Sequence, residues 1–245
     1  MPLSPGSSAV AACVVVLALG GCGVTAVFGP SDDHLLETAS LTDSDAAAGA
    51  TFQPYENGDV VAGEDSLDLC HGSFPSERLR IGRNQVGIGD AAGRSWVSSE
   101  AILYSTPAEA KQAMGELKTA RDACPTTPQR SPDRPDVAVT WRFGEDPATG
   151  WTEHSGVTRQ GYAFTITGEE DDTAIESTAI YLQRGRMILA LYSTPPDGPE
   201  SVIVNSPDPQ RFTEVMTQRL LALPEDALQQ GDPDKRVRDP RDIGT

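Results

Sequence analysis

Ala179-Ile180-Tyr181-Leu182-Gln183-Arg184-Gly185-Arg186-Met187-Ile188-Leu189-Ala190-Leu191-Tyr192 is the stretch that decides the fold. Two nearly unbroken apolar runs flank a short polar segment that contains Gly185. Runs this short, bounded by turn residues, suit strands better than buried helices. The Arg184-Gly185 pair makes a tight turn. Residues 174–182 and 187–192 are therefore expected as strands, the second lying in the middle of a sheet because its apolar run is almost continuous.

Val137–Phe143 alternates with apolar odd positions, and Thr158–Thr167 is a further strand. Residues 79–88 and 96–104 surround Gly89-Asp90-Ala91-Ala92-Gly93, which is turn composition, so residues 79–104 read as a β-hairpin. A helix follows. Thr106 can cap it, Pro107 suits its first turn and Glu109 favours its positive end. Ala110, Ala113, Met114, Leu117, Ala120 and Cys124 make one apolar stripe, and Pro125 stops the helix. Residues 125–135 hold four prolines and read as a loop. A second helix, beginning at Ser206-Pro207, carries Phe212, Val215, Met216, Leu220 and Leu223 on one face. The expected class is α+β: an antiparallel sheet of five to six strands with two helices, most simply on one face, and one disulfide.

The first residues look like an address. Residues 1–21 carry no charge, and residues 9–19 form an apolar run of eleven. That length fits an export signal and falls short of the roughly 20 residues a spanning helix needs. Residues 1–8 lack the Lys or Arg with which export signals normally begin. Leu19-Gly20-Gly21-Cys22 resembles the bacterial lipobox. The resemblance implies cleavage after Gly21 and a diacylglyceryl group on Cys22, which would anchor the chain stably because two acyl chains are buried. The expected organisation is a signal at 1–21, an acidic flexible tether at 22–65, a domain at 66–223 and a disordered charged tail at 224–245.

Charge is uneven. The net charge is −17, and residues 22–77 hold eleven acidic side chains and no Lys or Arg. An acidic tether is repelled by anionic headgroups and stays extended. No basic patch exists to neutralise phosphates, which excludes nucleic acid as a partner. Of the four cysteines, Cys13 leaves with the signal and Cys22 takes the lipid. Cys70 and Cys124 remain, and outside the cytoplasm two remaining cysteines pair.

Few residues carry a pattern of chemistry. Residues 86–93 contain GxGxxxG rather than the GxGxxG of a dinucleotide loop, and strand residues resume at Trp96. There is no GxSxG, and His71 and His154 carry no partner pattern. Glu169-Glu170-Asp171-Asp172 lacks the spaced ligands of an EF-hand and reads as a hairpin turn. Arg78 and Arg80 would share one face of a strand, where guanidinium forks suit carboxylates or phosphates. Trp96 and Trp141 fit core positions, whereas Trp151 stands in a polar run after Gly150. Arg78, Arg80 and Trp151 are the candidate ligand-binding residues; no catalytic residue, metal site or cofactor is expected.

Cys70, Phe74-Pro75-Ser76-Glu77, Arg83-Asn84-Gln85-Val86, Ser98-Ser99-Glu100-Ala101 with Tyr104, and Ala123-Cys124-Pro125 together resemble a group of actinobacterial envelope lipoproteins. More distantly, the pattern is similar to the extracellular sensor domains of mycobacterial Ser/Thr kinases. Residues 181–191 continue the likeness, which covers about residues 66–223. It implies a sensor-like α+β domain with a cleft for an extracytoplasmic ligand. The expected function is non-catalytic binding of a small molecule by a protein held at the outer face of the cell membrane. The alternative is a module that binds another envelope protein; a hydrolase of envelope polymers ranks third.

Overall fold

A computed structural model describes residues 30–231 apart from 47, 91–94, 131–137, 148–149, 169–173 and 195–208. The expected signal, Cys22, the acidic run at 169–172 and the start of the second helix at 206–207 lie outside the described residues, as does the end of the chain beyond 231.

The strands are β1 (Thr51–Pro54), β2 (Arg80–Gly89), β3 (Ser95–Tyr104), β4 (Gln129–Arg130), β5 (Ala138–Phe143), β6 (Thr158–Gly168), β7 (Ala174–Arg184) and β8 (Met187–Ser193). They form one sheet of eight in the order β1-β2-β3-β8-β7-β6-β5-β4, and every pairing is antiparallel. The apolar run at 187–192 takes a central place, as its pattern requires: β8 lies between β3 and β7, buried on both faces. The sheet exceeds the expected five to six strands because β1 and β4, of four and two residues, join its edges. Neither is long enough to show a periodicity.

The helices are α1 (Asp32–Ala39), α2 (Pro107–Asp122), α3 (Pro209–Ala222) and α4 (Glu225–Gln229). They do not share one face. Leu103, Ile180, Leu189 and Leu191 point toward α1 and α3, while Ile102, Tyr181, Ile188 and Ala190 point toward α2. The result is three layers with two separate cores. The α2 start is as expected: Thr106 Oγ1 accepts from Glu109 N–H, and Glu109 returns a carboxylate to Thr106 N–H at 3.0 Å.

Two boundaries need correction. Residues 30–65, expected as a tether, supply α1 and β1. Leu35, Leu36, Ala39 and Leu41 fill the first core, and Leu36 packs closely on Gly82, where a Cβ would stand 2.7 Å from Leu36 Cδ1 and force it to shift. The helix is short and its other face acidic, so bulk composition hid it. Its acids suit the positive N-terminus, where Ser31 caps. Likewise, residues 224–231 are not a tail. Leu228 in α4 is fully buried, its carbonyl accepts from Arg186 N–H at 2.9 Å, and it sits so close to Gly185 that only glycine fits there.

Candidate functional site

Cys70 and Cys124 are bonded, with Cα atoms 5.6 Å apart. The bridge ties the segment before β2 to the end of α2.

The expected ligand residues are not brought together. Arg78 is exposed on a 3₁₀ turn (Pro75–Leu79) that precedes β2, so it shares no strand face with Arg80. Arg80 is 2% exposed and fully engaged. It donates to Ser66 Oγ (2.7 Å), to the carbonyls of Val61 (3.0 Å) and Glu64, and pairs with Glu77 at 2.7 Å. Beside it, Arg83 pairs with Glu100 at 2.9 Å, both almost wholly buried. Glu77 accepts from the N–H groups of Ser66 and Leu67, at 2.9 Å each. Tyr192 donates to Ser66 O at 2.6 Å. These groups hold the irregular segment of residues 55–69 on the α2 face of the sheet, mainly through its main-chain atoms. Burial pushes Glu77 up to about 7 against the pull of Arg80 and the two N–H groups. Burial also raises Glu100, whose Arg83 partner opposes the shift. Trp151 is likewise structural. It lies on the opposite face of the sheet, donates to Thr217 Oγ1 of α3 at 3.1 Å and has the Arg159 guanidinium over its ring.

A groove that sequence reasoning missed lies between the end of α2 and the strands β5 and β6. Its volume is about 430 Å³. Strand lengths create it. β7 pairs with β6 from Thr158 to Thr167, whereas β5 pairs only from Phe164 to Gly168. The last rung is Gly144 N–H to Ala163 O at 2.8 Å. Beyond it, the first five residues of β6 have β7 on one side only. Phe143 and Tyr162 form an aromatic wall, their ring centres 6.2 Å apart. Lys118, Arg121, Asp122 and Asp146 make the rim.

The groove's side chains are held by one another. Tyr162 donates to Gln160 Oε1 at 2.6 Å, and Gln160 Nε2 donates to Met114 O of α2 at 3.0 Å. The Arg121 guanidinium lies 5.6 Å from the Phe143 ring centre and reaches Asp122 at 3.1 Å. Lys118 donates to Asp122 at 2.6 Å, and Asp146 pairs with Arg159. Lys118 and then Arg121 lower Asp122, and burial raises Tyr162 to about 12. Both stay in their ordinary charge states at neutral pH, and neither is tuned to move a proton there. The sequence signal for this site is faint: an aromatic at the end of β5, another early in β6, and glycines at 144 and 161 beside them.

A second concavity of about 480 Å³ borders the disulfide, near His71, Glu116 and Gln129. Among the described residues, no aromatic wall lines it beyond the His71 imidazole, which meets Trp141 edge-on at 5.7 Å.

Fold and site together define a disulfide-tied, three-layer α+β domain with a preformed open groove. No protein-family model matches the chain, and no curated protein matches it. Among solved structures, the extracellular domain of PknH from Mycobacterium tuberculosis is a distant likeness: 12% identity, TM-score 0.48, covering 82% of this chain and 97% of that one.

Proposed function

We propose that this chain is a non-catalytic, sensor-like ligand-binding protein, held by lipid on Cys22 at the outer face of the cell membrane, with the β5–β6–α2 groove as its binding site. The groove carries the reading. It is open, has two aromatic side chains in its wall, and holds Tyr162 and Gln160 in place before any ligand arrives, which lowers the entropic cost of binding. The mutual pairing of its charged groups supports binding rather than catalysis. Leu19-Gly20-Gly21-Cys22 supports the anchor, and no helix among the described residues is long and apolar enough to cross a membrane.

Two measurements test this. Exported full-length protein is weighed by native mass spectrometry: a small molecule retained by the wild type and lost from Tyr162→Ala supports the groove, while retention by both moves the site elsewhere. The mass of the N-terminal peptide from membranes reports a diacylglyceryl group on Cys22. An unmodified cysteine there rejects the anchor.

A further inference from the structure

We infer that the groove's ligand is an uncharged saccharide chain, an assignment that rests on the groove being the binding site. Four observations point the same way. Among the described residues the rim's charges alternate in sign, Lys118 and Arg121 on Asp122 and Arg159 on Asp146, so no cluster of one sign is offered to a polyanion or a polycation. The wall is aromatic, and the C–H faces of a pyranose bury apolar area against such rings. The Tyr162 hydroxyl donates to Gln160, which is itself tied to Met114 O, so the ring is placed before a ligand arrives, and the exposed Arg121 lies over Phe143 and against Asp122. The Lys118 ammonium, the Arg121 guanidinium and the Asp122 and Asp146 carboxylates are donors and acceptors spaced along an open channel, and among the described residues the β6 main chain has no strand on its β5 side beyond the Gly144 rung.

Together these features suit a long, neutral ligand with many hydroxyls. A purely apolar ligand would leave the rim's charges facing hydrocarbon, which is costly. A small ion would leave the aromatic wall without a role. In the bound state the carboxylates and Gln160 accept from sugar hydroxyls, and the cations donate to them.

The test uses exported full-length protein, in which Cys70 and Cys124 can pair. It is mixed in turn with maltohexaose, cellohexaose and chitohexaose, and with oligogalacturonate as the charged counterpart. Saturation-transfer NMR reads contact with the sugar C–H protons. The expected result is transfer to at least one neutral oligosaccharide, with affinity about tenfold or more weaker in Tyr162→Ala and largely kept in Tyr162→Phe, which retains the ring. Asp122→Ala, at a half-exposed rim position, gives an independent readout if Tyr162→Ala does not fold; it too should weaken binding. The saccharide assignment is overturned by no transfer to any neutral oligosaccharide, by preference for oligogalacturonate, or by binding indifferent to both variants. A non-saccharide molecule that copurifies with wild type and is lost from Tyr162→Ala overturns the saccharide but keeps the groove. No sugar binding together with no copurifying molecule overturns both.

Discussion

Arg80 and Arg121 both rest against carboxylates, yet they do opposite work. Arg80 is 2% exposed and spends its donors on Glu77, Ser66 and main-chain carbonyls of residues 61 and 64. Arg121 lies on the surface, where water and salt screen its bond to Asp122. The first set holds an irregular segment in place and has no donor to spare. The second has defined geometry and can exchange its bonds for a ligand's at little cost. The same residue types, legible in the sequence, are structural in one place and available in the other because of burial alone.

Breaking the interior set should have the largest effect. Arg80→Leu strands Glu77 and the loop carbonyls without their donor, and a buried pair broken from one side costs about 3–5 kcal/mol; urea denaturation should show it. A loss below 1 kcal/mol would mean that the segment of residues 55–69 is not held as described. The disulfide stands between the two regions, since Cys70 follows that segment and Cys124 ends the groove's helix. Cys70→Ser with Cys124→Ser opens a separation of 54 residues, for which chain entropy gives about 4 kcal/mol of lost stability. Thermal unfolding of the double variant, with and without reductant, checks this.

The pH dependence separates the regions by sign. Glu77 is raised from 4.5 to about 7, so the folded chain holds a proton there that the unfolded chain has released. Stability from this group is full below about 4.5 and is lost as pH climbs to about 7. Glu100, raised by burial, adds to the same trend. Denaturation midpoints across that range should fall with rising pH, and Glu77→Gln should flatten the slope. Asp122 runs the other way, because its lowered value makes any contribution fade only as pH falls through the acid range. The smallest effect is expected at Asp122→Asn, which should leave the unfolding midpoint within scatter of the wild type, since exposed pairs contribute little. A clear loss there would mean that the rim is structural after all and would weaken the groove as a binding site.

Much of the frame was legible. The hairpin, α2 and the strands from β5 to β8 all announce themselves through periodicity, turn residues and caps, because each is long enough to bury one side of itself. The groove was not legible. Arg78, Arg80 and Trp151 were reasonable candidates by residue type, but Arg80 and Trp151 turn inward and Arg78 leaves the strand. Phe143 and Tyr162 looked like ordinary strand residues. Nothing local says that β5 ends five residues short of its neighbour's start, which is what opens the groove between them.

The class of fold and the central place of β8 could be read from the sequence, since local pattern suffices for those, while the Cys70–Cys124 pairing followed only with Cys13 and Cys22 set aside as signal residue and lipid site. Only the tertiary structure decided that the helices lie on both faces of the sheet, that Leu35, Leu36 and Leu228 belong to its cores, and which charges are buried. Those outcomes depend on contacts between residues far apart in the chain, such as Leu36 on Gly82 and Leu228 on Gly185. A short apolar pair in an acidic stretch carries no sign of the socket that receives it.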